Sequence, residues 1–215
     1  MKRPSTLSVL TGILCLPSCA VLAGTFTRQD TTRTVAARPA LSLGVQPGHV
    51  EFDAVGWPSA LKIHGKGPGL DGRLVVENAA VSGAVGFDLQ ALSTGIDLRD
   101  RHMKEKYLET ARYPRATLTL SRLAIEKLPN TDSFGPVTVP FSGTLSLHGV
   151  ERPVAGEAKI ARAGASVTTT ASFAINIKDF GISVPSYMGI TVAEKVQVRV
   201  GFPAVLEAAR DAVAR

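Results

Sequence analysis

The sequence "GTLSLHGVERPV", from Gly143 to Val154, contains two extended runs with a turn between them. Its first half alternates apolar with polar residues, as a strand with one buried face and one solvated face requires. His148 and Gly149 have the chemistry of a short turn, and a second extended run begins near Val150. Because strands joined by so short a turn run antiparallel, the sequence predicts a β-hairpin.

The same period of two residues recurs from Gly48 to Val200. It is clearest in three further segments: "ATLTL" (Ala116–Leu120), "SFAINI" (Ser172–Ile177) and "VQVRV" (Val196–Val200). Weaker segments begin at His49, Ala60, Gly72 and Ala80, with a turn expected over 68–72. About eight short strands in one domain-sized length predict an all-β, antiparallel barrel or sandwich. Glycines inside the strands, such as Gly83, Gly86 and Gly143, permit bends and favour the barrel.

The N-terminus has the features of a secretory signal. Lys2 and Arg3 precede an apolar stretch from Leu7 to Leu16, and residues 21–23 offer a small-residue cleavage site. We therefore expect residues 1–23 to be a signal peptide, too short to span a membrane, and the protein to be exported to the periplasm. An alternative is a lipoprotein signal in which Cys19 is lipidated and tethers the protein to a membrane.

Beyond the signal, the pattern predicts a flexible, Thr-rich lead-in at 24–43, a barrel at 44–206 and an Ala-rich helical tail at 207–215. Both cysteines lie in the signal, so this barrel is expected to fold without a disulfide. Removing the two basic residues of the signal leaves 22 basic against 18 acidic residues, a charge of +4. This excess is mild and aromatic residues are only 6% of the chain, so we expect no nucleic acid as a partner.

One segment, "TGIDLRDRHMKEKYLETARYP" from Thr94 to Pro114, differs from the rest in its density of charge. Good helix formers predict a short helix from Asp100 to Thr110, with ion pairs four residues apart such as Asp100 with Lys104. Met103 and Tyr107 share another face that would rest on apolar surface. The segment is therefore interpreted as a lid, charged outside and apolar beneath, the alternative being a solvated connecting helix.

The same segment resembles the signature of the YceI-like family, which consists of exported lipocalin-like proteins that bind polyisoprenoid lipids. Three later blocks are similar to the family in the same order: "GTLSLHGVERPV", "FAINIKDFGISVP" from Phe173 and "VAEKVQVRVGFPA" from Val192. The resemblance extends from about His49 to Ala204, with a smaller, less aromatic first hairpin around Trp57. It implies a lipocalin-like β-barrel with a short helix across one end, whose apolar lumen holds a polyisoprenoid or isoprenoid quinone.

The family role assigns candidate ligand-binding residues. Eight are expected to line the lumen: Phe87, Leu89, Leu98, Met103, Tyr107, Leu145, Phe173 and Ile175. Arg99 and His102 are expected near the mouth, where they would meet a diphosphate, hydroxyl or quinone head group. The alternatives are that the apolar residues are core, that Arg99 pairs with Asp97 or Asp100, and that His102 bonds a backbone carbonyl.

No catalytic or metal-binding residue is assigned from the sequence. A Gly-x-Ser-x-Gly elbow is missing and the four histidines are scattered singly along the chain. The competing hypothesis is a small exported enzyme or metal-binding protein that uses the His102 region. A third is a filled barrel without ligand. An edge left by imperfect closure of the barrel would provide a contact for a homodimer.

Overall fold

The computed structural model describes residues 41–57, 61–77, 80–187 and 190–208. They belong to one compact unit. The predicted signal peptide, with Cys19, lies outside the described residues, as does most of the predicted lead-in. No helix among the described residues is long and apolar enough to cross a membrane.

Eleven strands are described, with one α-helix and four other helical turns. The strands are β1 Leu41–Val45, β2 Gly48–Trp57, β3 Leu61–Glu77, β4 Ala80–Asp88, β5 Arg115–Leu123, β6 Ser133–Leu147, β7 Val150–Ala163, β8 Ser166–Asn176, β9 Ser186–Tyr187, β10 Ile190–Val192 and β11 Lys195–Ala208. The helix, α1, spans Asp97–His102 and continues as a π-helical turn over Met103–Tyr107. Short 3-10 turns occupy Leu89–Ala91, Ile125–Lys127 and Ile177–Phe180.

Eight of these strands form a closed antiparallel ring. Each strand from β2 to β8 pairs with the next, β8 pairs with β11, and β11 returns to β2. The predicted antiparallel barrel of about eight strands with a short helix is therefore confirmed. The alternation of residues along each strand explains this closure. In β6, Phe141, Leu145 and Leu147 are buried inside, while Ser142, Thr144 and Ser146 are only partly buried.

β1 extends the closing seam of the ring. It pairs with β11 on one side and with β3 on the other, continuing the line of β2 after an interruption at Gln46 and Pro47. Gln46 N bonds Pro203 O at 2.9 Å across this interruption. β1 and β2 therefore behave as one broken strand, and residues 41–43 are ordered strand instead of flexible lead-in.

Three local expectations differ from the structure. The turn predicted over 68–72 is absent, because β3 runs continuously for 17 residues and bends at Gly69, whose φ is +92°. The helical tail predicted from residue 207 does not start there: β11 runs to Ala208, where its backbone pairs with β1, and residues 209–215 lie outside the described residues. The helix begins three residues before Asp100 and ends at Tyr107.

The two ends of the barrel differ. At the end that we call the helical end, β4 passes into residues 97–107, which we call the lid segment, before the chain returns as β5. The His148–Gly149 turn lies at the same end, with φ of +53° and +75°, the two positive values of the tightest hairpins. The opposite end carries the loop between β5 and β6 and the ends of β1 and β11.

Candidate functional site: an apolar cavity beneath a helical lid

The interior of the barrel is an apolar cavity of about 690 Å³. Its walls are side chains from all eleven described strands, with the lid segment at one end. The seven described lining residues with polar side chains are Thr94, Arg99, His102, Tyr107, Arg162, Thr169 and Ser186. Most of these lie at the helical end, so the cavity has a long apolar body and a more polar head.

All ten residues proposed from the sequence line this cavity. Those expected to line the lumen are Phe87, Leu89, Leu98, Met103, Tyr107, Leu145, Phe173 and Ile175, and those expected near the mouth are Arg99 and His102. Phe173 meets Phe141 edge to face, with ring centroids 6.0 Å apart, and both rings are almost fully buried. Leu98 is the exception in exposure, since 49% of it remains accessible. Their role in ligand binding stays a prediction.

The start of the lid segment is held by Asp100. Its Oδ2 accepts a hydrogen bond from Ser93 Oγ at 2.7 Å, and its Oδ1 accepts from the Thr94 backbone N–H at 2.7 Å and from the Thr94 hydroxyl. Ser93 in turn exchanges two backbone hydrogen bonds of 2.8 Å with Lys66 of β3. The predicted helix start at Asp100 is thus three residues late, but its carboxylate does anchor the helix entry to the barrel wall.

The pKa of Asp100 reflects this setting. Partial burial opposes ionisation, but hydrogen bonds from Thr94 and Ser93, together with the charge of Lys104, outweigh it. The pKa is therefore lowered from its ordinary value of 3.8. The carboxylate prefers its charged form in the folded protein.

Arg99 is oriented by the same cluster. Its Nε donates to Thr94 Oγ1 at 2.7 Å and its Nη2 to Thr94 O at 2.8 Å, while the Thr94 hydroxyl donates to Asp100. Neither proposed pairing of Arg99 with an acid is made directly. A guanidinium has five N–H donors, so this arrangement holds the group at the cavity with donors beyond the two that Thr94 accepts.

Arg162, at the opposite end, differs in this respect. It donates to Gly164 O at 2.9 Å, to Thr131 O at 3.3 Å and to Asp132 Oδ1 at 2.9 Å. These bonds tie β7 to neighbouring loops. These bonds to loop residues account for the presence of Arg162 at the cavity.

His148 fastens the other end of the lid to the barrel. Its Nδ1 lies 3.1 Å from Phe180 O and its Nε2 lies 2.8 Å from Glu109 Oε2, so both ring nitrogens face acceptors. Tyr113 packs on the ring at 4.6 Å between centroids, and a side chain at Gly149 would collide with Tyr113. The turn role predicted for His148 is confirmed, and its side chain also joins three segments that are distant in sequence.

Two features of this site had no role assigned to them from the sequence. One is Thr94, which positions Arg99 from outside the helix. The other is the connection between β8 and β11, where Ile182, Pro185 and Val192 line the cavity. Both lie in segments that resemble family blocks, but their roles depend on side-chain contacts that only the folded barrel shows.

An antiparallel eight-stranded barrel with an apolar cavity and a helical lid defines a lipocalin-like class of protein. The sequence matches the YceI-like domain over residues 42–204, and the chain belongs to the YceI-like family.

The chain is 29% identical over 150 residues to a UPF0312 protein of Pseudomonas putida (strain W619), a match that covers 63% of this chain and 72% of that protein. Its fold is similar to a polyisoprenoid-binding domain from Saccharophagus degradans, with a TM-score of 0.60, 20% identity and coverage of 79% of this chain and 100% of that one. It is also similar to BcnA of Burkholderia cenocepacia, with a TM-score of 0.57, 18% identity and coverage of 73% and 96%. The likeness to these two structures supports the fold of this chain.

Proposed function

We propose that this protein binds one isoprenoid-type lipid, a polyprenyl or isoprenoid quinone chain, in its cavity, for carriage or storage. The observation that carries the proposal is the apolar cavity of about 690 Å³ under the lid segment. Burying a methylene is worth about 0.8 kcal/mol, so each five-carbon prenyl unit contributes very roughly 2 to 4 kcal/mol before ordering costs. A few units then suffice for tight binding.

The polar residues suggest how the ligand is oriented. Arg99, His102 and Thr94 lie together at the helical end, and the guanidinium of Arg99 is held by Thr94 with donors left for an oxygen-rich head. Arg162, at the opposite end, is engaged by protein groups. We therefore place the head group of the lipid under the lid segment and its apolar chain along the barrel axis.

We propose a binding role and not catalysis. The family resemblance supports this reading. Among the described residues, no group of three His, Cys, Asp or Glu side chains could hold a metal ion. Replacing His102 by Ala distinguishes the two roles, because a binding protein keeps most of its ligand affinity whereas an enzyme or metal site loses nearly all of its activity.

We further propose that the carrier works in the periplasm, after export directed by residues 1–23. The basic residues Lys2 and Arg3, the apolar stretch and the small residues near Ala23 support this localisation. The alternative is anchorage through a lipid on Cys19. Mass spectrometry of the mature N-terminus distinguishes the two, because a diacylglyceryl group on Cys19 would raise its mass.

Native mass spectrometry of the protein, purified gently from its exporting host and followed by organic extraction, tests the proposal. We expect a stoichiometric adduct that extracts as a prenyl chain or quinone. A mass equal to the chain alone, even after incubation with a prenyl lipid, would contradict lipid binding and favour a barrel without ligand.

A matched pair of variants tests the head-group site. Arg99→Ala should weaken binding of a prenyl diphosphate about tenfold, because a charge-assisted hydrogen bond is lost. Arg101→Ala removes an exposed cation that is two residues away and does not line the cavity, so it should leave the affinity unchanged. Equal affinities in the two variants would place the head group elsewhere.

A further inference from the structure

Exposed apolar side chains are concentrated at the helical end of the barrel. Seven large apolar residues of the described chain are exposed, and five of them lie at this end: Val55, Trp57, Leu61, Ile96 and Leu98. We call these five the mouth rim. Trp57 is the extreme case, with 75% of its surface accessible to solvent. Scattered exposed leucines need no explanation, but a cluster at one end of a barrel does.

The mouth rim is continuous with the cavity. Leu61, Ile96 and Leu98 line the cavity and are also 41%, 53% and 49% exposed, so the apolar surface runs from the lumen to the outside between β3 and the lid segment. At the opposite end only Leu41, of the two exposed residues there, also lines the cavity. The helical end therefore offers the broader apolar path into the lumen.

The two chain segments that border this path carry an excess of basic residues. Residues 61–66 and 93–107 contain six basic side chains against three acidic ones: Lys62, Lys66, Arg99, Arg101, Lys104 and Lys106 against Asp97, Asp100 and Glu105. Apolar groups with an interfacial Trp and an excess of Lys and Arg form the combination that binds the surface of an anionic bilayer.

We propose that the mouth rim docks on a membrane that contains anionic lipid, with the opening of the cavity facing the bilayer. Trp57 and Val55, which do not line the cavity, enter the interface beside the opening, and the flanking basic residues meet the lipid phosphates. The inference rests on the proposed function in one respect: an isoprenoid chain is stored in a bilayer, so docking lets it pass from the membrane into the lumen without crossing water.

Trp57 is the one tryptophan of the chain, so tryptophan fluorescence reports on the mouth rim alone. The experiment adds the purified protein to vesicles of phosphatidylcholine, with and without phosphatidylglycerol, and repeats it with brominated acyl chains. We expect the Trp57 emission to shift to the blue and to be quenched by bromine, with binding tightened by phosphatidylglycerol and weakened by salt. An unchanged spectrum and no co-sedimentation with either vesicle would overturn the proposal.

Three variants locate the contact by vesicle co-sedimentation. Trp57→Ser and Val55→Asp should each lower the partition coefficient at least tenfold while leaving the lipid adduct in native mass spectra intact, because neither residue lines the cavity. The control is Val205→Asp, an exposed apolar residue at the opposite end that does not line the cavity, and it should bind vesicles like the unmodified protein. An equal loss of vesicle binding in all three variants would overturn the assignment of the mouth rim as the membrane contact.

The outcomes separate docking from lipid storage. Vesicle binding without any extractable lipid would contradict the proposed function and leave the docking surface in place. An adduct without vesicle binding would overturn docking alone. A protein dimer that dissociates in Trp57→Ser, seen by sedimentation at several concentrations, would show that the mouth rim joins two copies of the chain and would overturn the membrane assignment.

Discussion

Asp100 shows how one residue links the sequence pattern to the geometry of the site. Its carboxylate collects three hydrogen bonds from Ser93 and Thr94, and Thr94 in turn orients Arg99 at the cavity. The side chain thus supports the lid and the head-group site together. Its lowered pKa is the electrostatic counterpart of those bonds.

Replacing Asp100 by Asn should destabilise the fold by about 1 kcal/mol at neutral pH, because one charged acceptor is lost. Since the folded pKa of Asp100 is lowered, its contribution is present above its ordinary value of 3.8 and is lost as the pH falls through the folded value. The stability of Asp100→Asn should therefore depend less steeply on pH in the acid range. Urea unfolding at a series of pH values checks this.

Asp53 on the outer wall provides a comparison. Its pKa is also lowered, chiefly by a hydrogen bond from His64, and partial burial opposes the effect while Arg199 adds to it. Asp53→Asn should likewise make stability depend less steeply on pH in the acid range. The effects of the two substitutions should add, because the two sites share no partner. An Asp100→Asn curve that runs parallel to that of the unmodified protein throughout the acid range would refute the role assigned to Asp100.

At the scale of elements, the barrel depends on positions where strands approach too closely for a side chain. Gly156 of β7 faces Phe173 and Phe141, and a Cβ built there would overlap Ser172 O of β8. Because the obstacle is partly backbone, it cannot rotate away. The glycine lets β7 and β8 pair while the aromatic pair fills the space beside it.

Gly156→Ala should reduce the free energy of unfolding by about 1 to 3 kcal/mol through overpacking. The matched control is Gly135→Ala, at a strand position where an added Cβ meets nothing within 4 Å. Denaturant unfolding of both variants measures the difference. Equal midpoints for the two substitutions would show that β7 and β8 separate without cost at Gly156.

At the scale of the whole molecule, an apolar cavity inside a closed ring couples ligand binding to stability. A ligand that binds only the folded barrel adds about 2.7 kcal/mol when its concentration is 100 times Kd. For a domain of this size that corresponds to a rise in Tm of roughly 5 to 10 °C. A lipid chain bound in the cavity thus acts as part of the hydrophobic core.

Ala171→Phe should abolish this rise in Tm with a prenyl lipid, because the new ring occupies the lumen that Ala171 lines. Its own Tm should stay close to that of the unmodified protein, since the ring fills empty apolar space. The control Ala174→Phe, on the same strand with a position that does not line the cavity, should keep the full shift. Thermal unfolding with and without lipid measures both, and an undiminished shift in Ala171→Phe would place the lipid outside the barrel.

The sequence by itself determined the antiparallel strands, because alternation of apolar and polar residues is a local property that each strand carries without its neighbours. Glycines inside the strands and the resemblance to the YceI-like family favoured a barrel over a sandwich. The resemblance to the family named inward-facing residues such as Leu145 and Phe173, and the burial pattern of their strands agrees with it. The lid was visible in the charge and helix propensity of residues 97–107, though its exact start was not.

Only the tertiary structure decided how the ring closes and where the cavity opens. β1 and the end of β11 have little strand character of their own, and they become strands because each supplies hydrogen bonds to the other across the seam. The link from His148 to Glu109 and Phe180 likewise joins residues that are remote in the chain. The Thr94 support of Arg99 depends on side-chain geometry that the sequence does not show. The mouth rim belongs to this second group, because exposure of an apolar side chain depends on what the folded chain leaves uncovered.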